Sequence, residues 1–167
     1  PVLKCLSDLN KKRLLKPFQW NICGEGIQFE EIRKNIKKLN LSDQVFLIGK
    51  IDTSLKQKFL ESSDVFVMPS YKVNKSIEGF GISYIEAAAY KIPSIAGIDG
   101  GVTDAVIDSK TGWCVDPLNK EKLTKVLKES INNKEIRQTY GMHAQNQFLQ
   151  DFLGEKVFRK FMDTISI

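Results

Sequence analysis

Between Asp64 and Ala96 the chain reads DVFVMPS (64–70), a polar loop, and then EGFGISYIEAAAYKIPSIA (78–96). Asp64 to Met68 is a short apolar run stopped by Pro69, the pattern of a buried strand. Residues 82–90 predict an Ala-rich helix, and Pro93 to Ala96 a second strand. Strand, helix, strand in that order is the unit from which parallel sheets are built.

The same alternation extends in both directions. Upstream, apolar residues at 2, 3, 6 and 9 share a helical face behind Pro1. FQWNIC (18–23) is a strand candidate closed by Gly24-Glu25-Gly26, and residues 27–39 repeat apolar positions at helical spacing. Val45 to Ile48 forms an unbroken apolar run ended by Gly49, and a helix is expected over about 53–62. Downstream, a brief helix near 102–107 precedes a strand from Gly112 to Val115, which Asp116 and Pro117 break. Two helices are expected from there to about residue 149, and a last one over 155–165. Unbroken apolar strands imply burial on both faces, so the pattern predicts an α/β fold, a doubly wound parallel sheet. Residues 1–167 are expected to form one domain. Such domains usually open on a strand, whereas this chain opens on a helix, so a first strand is expected upstream of Pro1 in a longer parent.

Length and composition fit that reading. The chain has 167 residues, 42% hydrophobic and 27% charged, enough for a core without metal or disulfide staples. No apolar run reaches the roughly 18 residues of a membrane span. The net charge of +5 invites a nucleic-acid reading, but 21 Lys and 4 Arg provide few of the bidentate forks that such surfaces use. No nucleic-acid partner is expected. Cys5, Cys23 and Cys114 lack any C-x-x-C spacing and read as reduced residues of a cytoplasmic protein. His143 has no cluster of Cys or carboxylates beside it, so no metal site is expected.

Ligands of doubly wound sheets bind at the carboxyl ends of the strands. That directs attention to the loops after residues 23, 48, 68, 96 and 115. Gly24-Glu25-Gly26-Ile27-Gln28-Phe29 is close to a dinucleotide fingerprint, but Phe29 stands where the third Gly belongs, which argues against NAD. The turn is either a plain strand-to-helix connection or a backbone wall beside a nucleotide base. The chain contains no P-loop pattern. In EGFGISYIE (78–86), Gly79 and Gly81 flank Phe80 at a helix start, where backbone N–H groups and the helix dipole favour an anion. Glu78 just before that site would repel a bare phosphate but could accept hydrogen bonds from hydroxyls beyond it. Glu86, in an otherwise apolar helix, needs a partner, either vicinal hydroxyls of a ribose or a nearby Lys. Gly100 and Gly101 allow the backbone of the next loop to form a second wall.

DVFVMPS, EGFGISYIEAAAYKIPSIA, Gly100-Gly101 and TGWCVDP (111–117), in that order, resemble the C-terminal nucleotide-sugar-binding domain of GT-B retaining glycosyltransferases of the large family-four group. The loop from Tyr71 to Ile77 and the run GGVTDAV (100–106) are similar to bacterial phosphatidylinositol-mannosyltransferase-like members. The resemblance covers nearly the whole chain and implies specific roles. Glu78 is the implied catalytic residue, contacting donor sugar hydroxyls, with the amides of Gly79, Phe80 and Gly81 near sugar and phosphates. Glu86 would bind the ribose, while Gly24, Gly26, Ile48 and Gly49 border the base.

The implied partners are a GDP- or UDP-linked sugar, an N-terminal domain of the same parent, and a lipid or glycan acceptor at the inner face of a membrane. No cofactor is implied, because protein cations hold the diphosphate. The family's Arg and Lys for that task sit after the first strand, which would precede Pro1, while Lys50, Lys72 and Lys75 are nearby in sequence. The chain alone is therefore expected to bind donor weakly and to catalyse nothing. Alternatives are a nucleotide-sugar epimerase or phosphorylase of the same architecture, or a non-catalytic nucleotide-binding or interaction module.

Overall fold

The computed structural model describes residues 1–72 and 79–153. Along the chain run α1 (Val2–Lys11), β1 (Trp20–Cys23), α2 (Phe29–Lys38), β2 (Val45–Gly49), α3 (Thr53–Ser62) and β3 (Phe66–Met68). Then come α4 (Ile82–Ala89), β4 (Ser94–Ala96), α5 (Val102–Ala105), β5 (Gly112–Cys114), α6 (Lys120–Asn132) and α7 (Lys134–Gln147), which continues into a π-helical turn, Phe148–Phe152. The helix expected over 155–165 lies outside the described residues, as do Glu78 and Lys75. Every strand pairing among the described residues is parallel. Strands alternate with helices as the βαβ reading requires, so the class is α/β with a Rossmann-like arrangement. The chain divides into two compact units, Pro1–Ser62 with Pro117–Asn133, and Ser63–Asp116 with Lys134–Ile167.

In the first unit β1 pairs with β2, Trp20 opposite Val45 and Ile22 opposite Leu47. The helical period of α1 buries Val2, Cys5, Leu6 and Leu9, and α6 answers with Leu123 and Leu127. Burying each such aliphatic side chain contributes about 1.5–3 kcal/mol. Asn119 caps α6, its side chain accepting from Lys122 N at 3.0 Å. The buried Ser7 hydroxyl donates to Leu39 O at 3.0 Å, beyond the last turn of α2. The Asn132 amide ties the loop after α1 to the end of α6, donating to Leu14 O at 2.7 Å and accepting from Lys16 N at 2.8 Å.

β2 departs from the sequence expectation. Val45 is buried, but Phe46 and Ile48 are 38% and 37% exposed, so this apolar run is covered on one face more than the other. β4 does follow the rule, with Ser94, Ile95 and Ala96 all buried.

The second unit has the order β3-β4-β5, with Val67 opposite Ile95 and Ile95 opposite Trp113. Its core gathers Tyr84, Ala96, Val102, Ala105 and Val106, with Phe66 and Met68 packed against it. The Tyr84 ring meets Phe66 edge-on at 5.8 Å, and its hydroxyl donates to Met68 O. A buried tyrosine is thereby satisfied at the end of β3. α5 stops at Ala105, short of the expected residue 107, because Val106 is extended. Ile107 N then donates to the Thr111 hydroxyl at 2.8 Å. α7 packs across this unit through Gly141, where a Cβ would lie 2.0 Å from Lys91 O. The rings of Trp113 and Tyr140 meet at a tilt of 57°, with 5.0 Å between their centres.

Candidate functional site

In the first unit the ladder between β1 and β2 continues one step beyond β1, with Gly24 N donating to Gly49 O at 2.7 Å. The register shifts there, so that Cys23 lies opposite Gly49. Gly24 has φ +137° and Gly49 φ +79°, values that an L side chain adopts only with strain. A Cβ at Gly24, Gly26 or Gly49 would meet nothing within 4 Å. The base-side candidates thus form a glycine turn facing open space at two strand ends. Ile48 is partly exposed and Ile27, directly after Gly26, fully so. Helical spacing assigned Ile27 to α2, but that helix begins only at Phe29, where Arg33 lies over the Phe29 ring at 5.1 Å. The Cys23 thiol beside the turn is held above its ordinary pKa by partial burial.

In the second unit Gly81 caps α4 in the left-handed conformation, φ +77° and ψ +66°. Having no side chain, it leaves the helix start without a side-chain cap of its own, and Tyr84 N turns back to Gly81 O at 2.9 Å. Gly101 N donates to Gly79 O at 2.7 Å, and a Cβ on Gly101 would sit 2.6 Å from that oxygen. The two glycine loops that the sequence singled out therefore touch through their backbones. Phe80 is partly exposed, its ring edge-on to Phe152 at 5.4 Å. Gly100 is exposed with φ +74°. Glu86 is half-buried one turn after Ile82, which is 72% exposed, on the face of α4 away from the buried Tyr84 and Ala88. The expected catalytic residue, Glu78, lies outside the described residues.

Three residues inside the stretches that the sequence reading picked out, Gly97 and Asp99 of the loop 97–101 and Tyr84 of EGFGISYIE, had no individual role assigned to them. Gly97 would place a Cβ 1.9 Å from Ser70 O, so it brings the loops after β3 and β4 into direct backbone contact. Asp99 accepts Lys72 N at 2.9 Å, fixing the start of the loop that leads to Glu78. Of the nearby cations in sequence, Lys50 and Lys72 are both exposed. Tyr84 anchors the end of β3, as described above. The available signal was membership: Gly97 and Asp99 belong to the loop 97–101 already picked out, and Tyr84 follows Gly81 by three residues.

Burial pushes the Cys114 thiol up to about 11, with the Asp108 carboxylate adding to the effect, and all three cysteines are free. His143 Nδ1 lies 3.2 Å from Lys110 O. Among the described residues no three His, Cys, Asp or Glu side chains converge as metal ligands would. No helix among them is long and apolar enough to cross a membrane.

This arrangement agrees with known proteins. Residues 2–147 match the family model for glycosyl transferases group 1. The chain is 26% identical over 148 residues to 2-deoxystreptamine N-acetyl-D-glucosaminyltransferase of Niallia circulans, covering 89% of this chain and 37% of that protein. It is 31% identical over 105 residues to a GDP-mannose-dependent alpha-(1-6)-phosphatidylinositol monomannoside mannosyltransferase of Mycolicibacterium smegmatis, covering 62% and 28%. A variant of S. aureus TarM, solved with UDP, alpha-GlcNAc-glycerol and fondaparinux, superposes with a TM-score of 0.82 at 27% identity, covering 99% of this chain and 32% of that one. The chain thus spans about a third of the length of the relatives it matches. With the glycine-flanked helix start, the parallel α/β fold and a family model matched over residues 2–147, the chain belongs to the group 1 glycosyl transferases.

Proposed function

We propose that this chain is the donor-binding part of a retaining glycosyltransferase that moves a sugar from a GDP- or UDP-linked donor to a lipid or glycan acceptor. The observation that carries this reading is the start of α4. There a left-handed Gly81 opens the helix, and the preceding Gly79 is braced from behind by Gly101 N at 2.7 Å. Backbone N–H groups held in that way are ready donors to a phosphate oxygen, and the helix dipole adds about 0.3–2 kcal/mol. Support also comes from GDP-mannose in the name of one relative and UDP in the complex of another.

In this reading the amides of Gly79, Phe80 and Gly81 face the sugar and diphosphate, with Gly100 and Gly101 as the wall behind them. Glu86 accepts hydrogen bonds from the ribose hydroxyls, and Gly24, Gly26, Ile48 and Gly49 border the base. Glu78 receives the sugar hydroxyls, a role resting on its place in EGFGISYIE. The bond from the anomeric carbon to the phosphate oxygen breaks while a bond to the acceptor oxygen forms on the same face. The acceptor proton passes to the departing diphosphate. The acceptor, the N-terminal domain and a place at the inner membrane face belong to the parent protein.

The experiment is donor turnover by the full-length parent with GDP- and UDP-sugars, with the anomeric configuration of the product read by NMR. Retained configuration and near-complete loss of turnover in Glu86→Ala are expected. Undiminished turnover in that variant overturns the site, and an inverted product overturns the mechanism. A sugar changed without any acceptor would indicate an epimerase, and consumption of inorganic phosphate a phosphorylase. The reaction as written needs no metal, so a chelator should leave the rate unchanged.

A further inference from the structure

We propose that Phe152, at the end of the π turn, is a positioning residue for the segment Gly79–Gly81, acting through the Phe80 ring; this rests on the donor-binding reading above. Phe80 stands between two glycines, the residues with most backbone freedom to lose on ordering. On one side the segment is held by the hydrogen bond from Gly101 N to Gly79 O. On the other, the Phe80 ring lies against Phe152 at 5.4 Å and 63° between ring planes, an edge-on pairing.

The end of α7 that leads into Phe152 is itself anchored. Gln145 Nε2 donates to Ala89 O at the end of α4 at 2.9 Å, and Gln147 Nε2 to Asp104 O in α5 at 3.2 Å. The end of α7 is therefore pinned to the two helices that follow the glycine loops. It then changes to π geometry over Phe148–Phe152. A π turn bonds i to i+5 and takes an extra residue per turn, so it rotates the residues after it relative to an α-helical continuation. That rotation accompanies the contact of Phe152 with Phe80. Amide donors aimed at a ligand act well only when held within about 0.5 Å of their productive positions. Phe152 supplies that restraint from outside the segment, with no part in the chemistry.

The test uses the full-length parent and Phe152→Leu, which keeps apolar bulk but removes the ring edge. Expected are an unchanged thermal midpoint, faster amide hydrogen exchange at Phe80 and Gly81, and a donor KM raised about 3- to 10-fold, the size of one aromatic pair. Acceptor KM should stay the same, and Phe152→Tyr should restore donor KM. In a Phe80→Ala background Phe152→Leu should add nothing. Unchanged exchange at Phe80 and Gly81, or an equal rise in donor KM in that background, overturns the positioning role. A wild-type parent that transfers no sugar overturns the functional reading instead, and the exchange measurement still decides the role of Phe152.

Discussion

Both units carry glycines near strand ends, and two sets of them, one in each unit, are glycine for opposite physical reasons; Gly81 and Gly100 of the second unit, at φ +77° and +74°, share the positive φ of the first set. In the first unit Gly24 and Gly49 have positive φ, and a Cβ on either would meet only open space. In the second, Gly97, Gly101 and Gly112 would drive a Cβ to within 1.9, 2.6 and 2.2 Å of the backbone oxygens of Ser70, Gly79 and Ser94. The first set is glycine because of the shape of its own backbone, with room beside it for something that is not protein. The second set is glycine because other backbone already occupies that room. The second set packs backbone against backbone, whereas the first leaves the space beside it open.

The largest expected effect follows from the second set. Gly97→Ala would force a methyl group into Ser70 O, which belongs to backbone and has no rotamer by which to escape. Overpacking typically costs about 1–3 kcal/mol, and an obstacle of backbone places this substitution at or above the top of that range. Loss of the cooperative urea transition, or a shift of its midpoint to match, is the expected result. A variant as stable as wild type would mean that the loops after β3 and β4 are not in contact, and the contrast between the two units would collapse.

Gly24→Ala should cost less, and through a different route. Nothing stands within 4 Å of the added methyl, so only the backbone at φ +137° is penalised, by about 1–3 kcal/mol. The denaturant midpoint should fall with an unchanged slope. A loss as large as that of Gly97→Ala would show that the first unit is also packed behind its glycines.

These differences explain what the sequence could and could not convey. The alternation of apolar runs and helical periods identified the parallel α/β fold, and β4, expected as a short strand, is buried at all three positions including Ser94. β2 is the more continuous apolar run, yet Phe46 and Ile48 are partly exposed. Which face is covered depends on neighbours that a local pattern does not contain. Likewise, Gly81 and Gly101 were legible because two glycines close together before a helix start have a local meaning. Gly97 was legible only as the start of a turn-rich loop and Gly141 not at all, since the atoms that require them to be glycine are Ser70 O and Lys91 O, remote in sequence. Glu86 was legible as a carboxylate in an apolar helix, and it lies half-buried on α4.

A smaller effect distinguishes the surfaces of the units by pH. In the first unit Asp8 and Lys120 pair at 2.7 Å between α1 and α6. The Lys120 hydrogen bond and charge hold Asp8 below its ordinary pKa, and Asp8 in turn raises Lys120. The contribution of Asp8 is complete above the ordinary carboxylate range and is lost as pH falls through its lowered value. That of Lys120 is complete below 10.5 and is lost as pH rises through its raised value. Asp8→Asn should therefore flatten both limbs of the urea midpoint against pH. Both groups are exposed, so the difference should shrink in about 1 M salt, where the Debye length is about 3 Å. Limbs that persist in Asp8→Asn would assign the pH dependence to other groups.

The smallest effect on stability is expected at Gly26, and there it is the most informative. Gly26 has no positive φ and nothing within 4 Å of its Cβ position, so neither strain nor packing opposes an alanine. By restricting the unfolded chain, Gly26→Ala should leave stability unchanged or raise it by about 0.4–1 kcal/mol. If the turn after β1 serves only to connect β1 to α2, nothing else should happen. If it is a wall against which a nucleotide base lies, the added methyl occupies the ligand's space, and donor KM in the parent should rise while kcat holds. A stable variant with weakened donor binding separates ligand room from packing room at one atom. An unchanged KM would reduce the open turn of the first unit to a simple connection and leave the second unit's glycine loops as the donor surface.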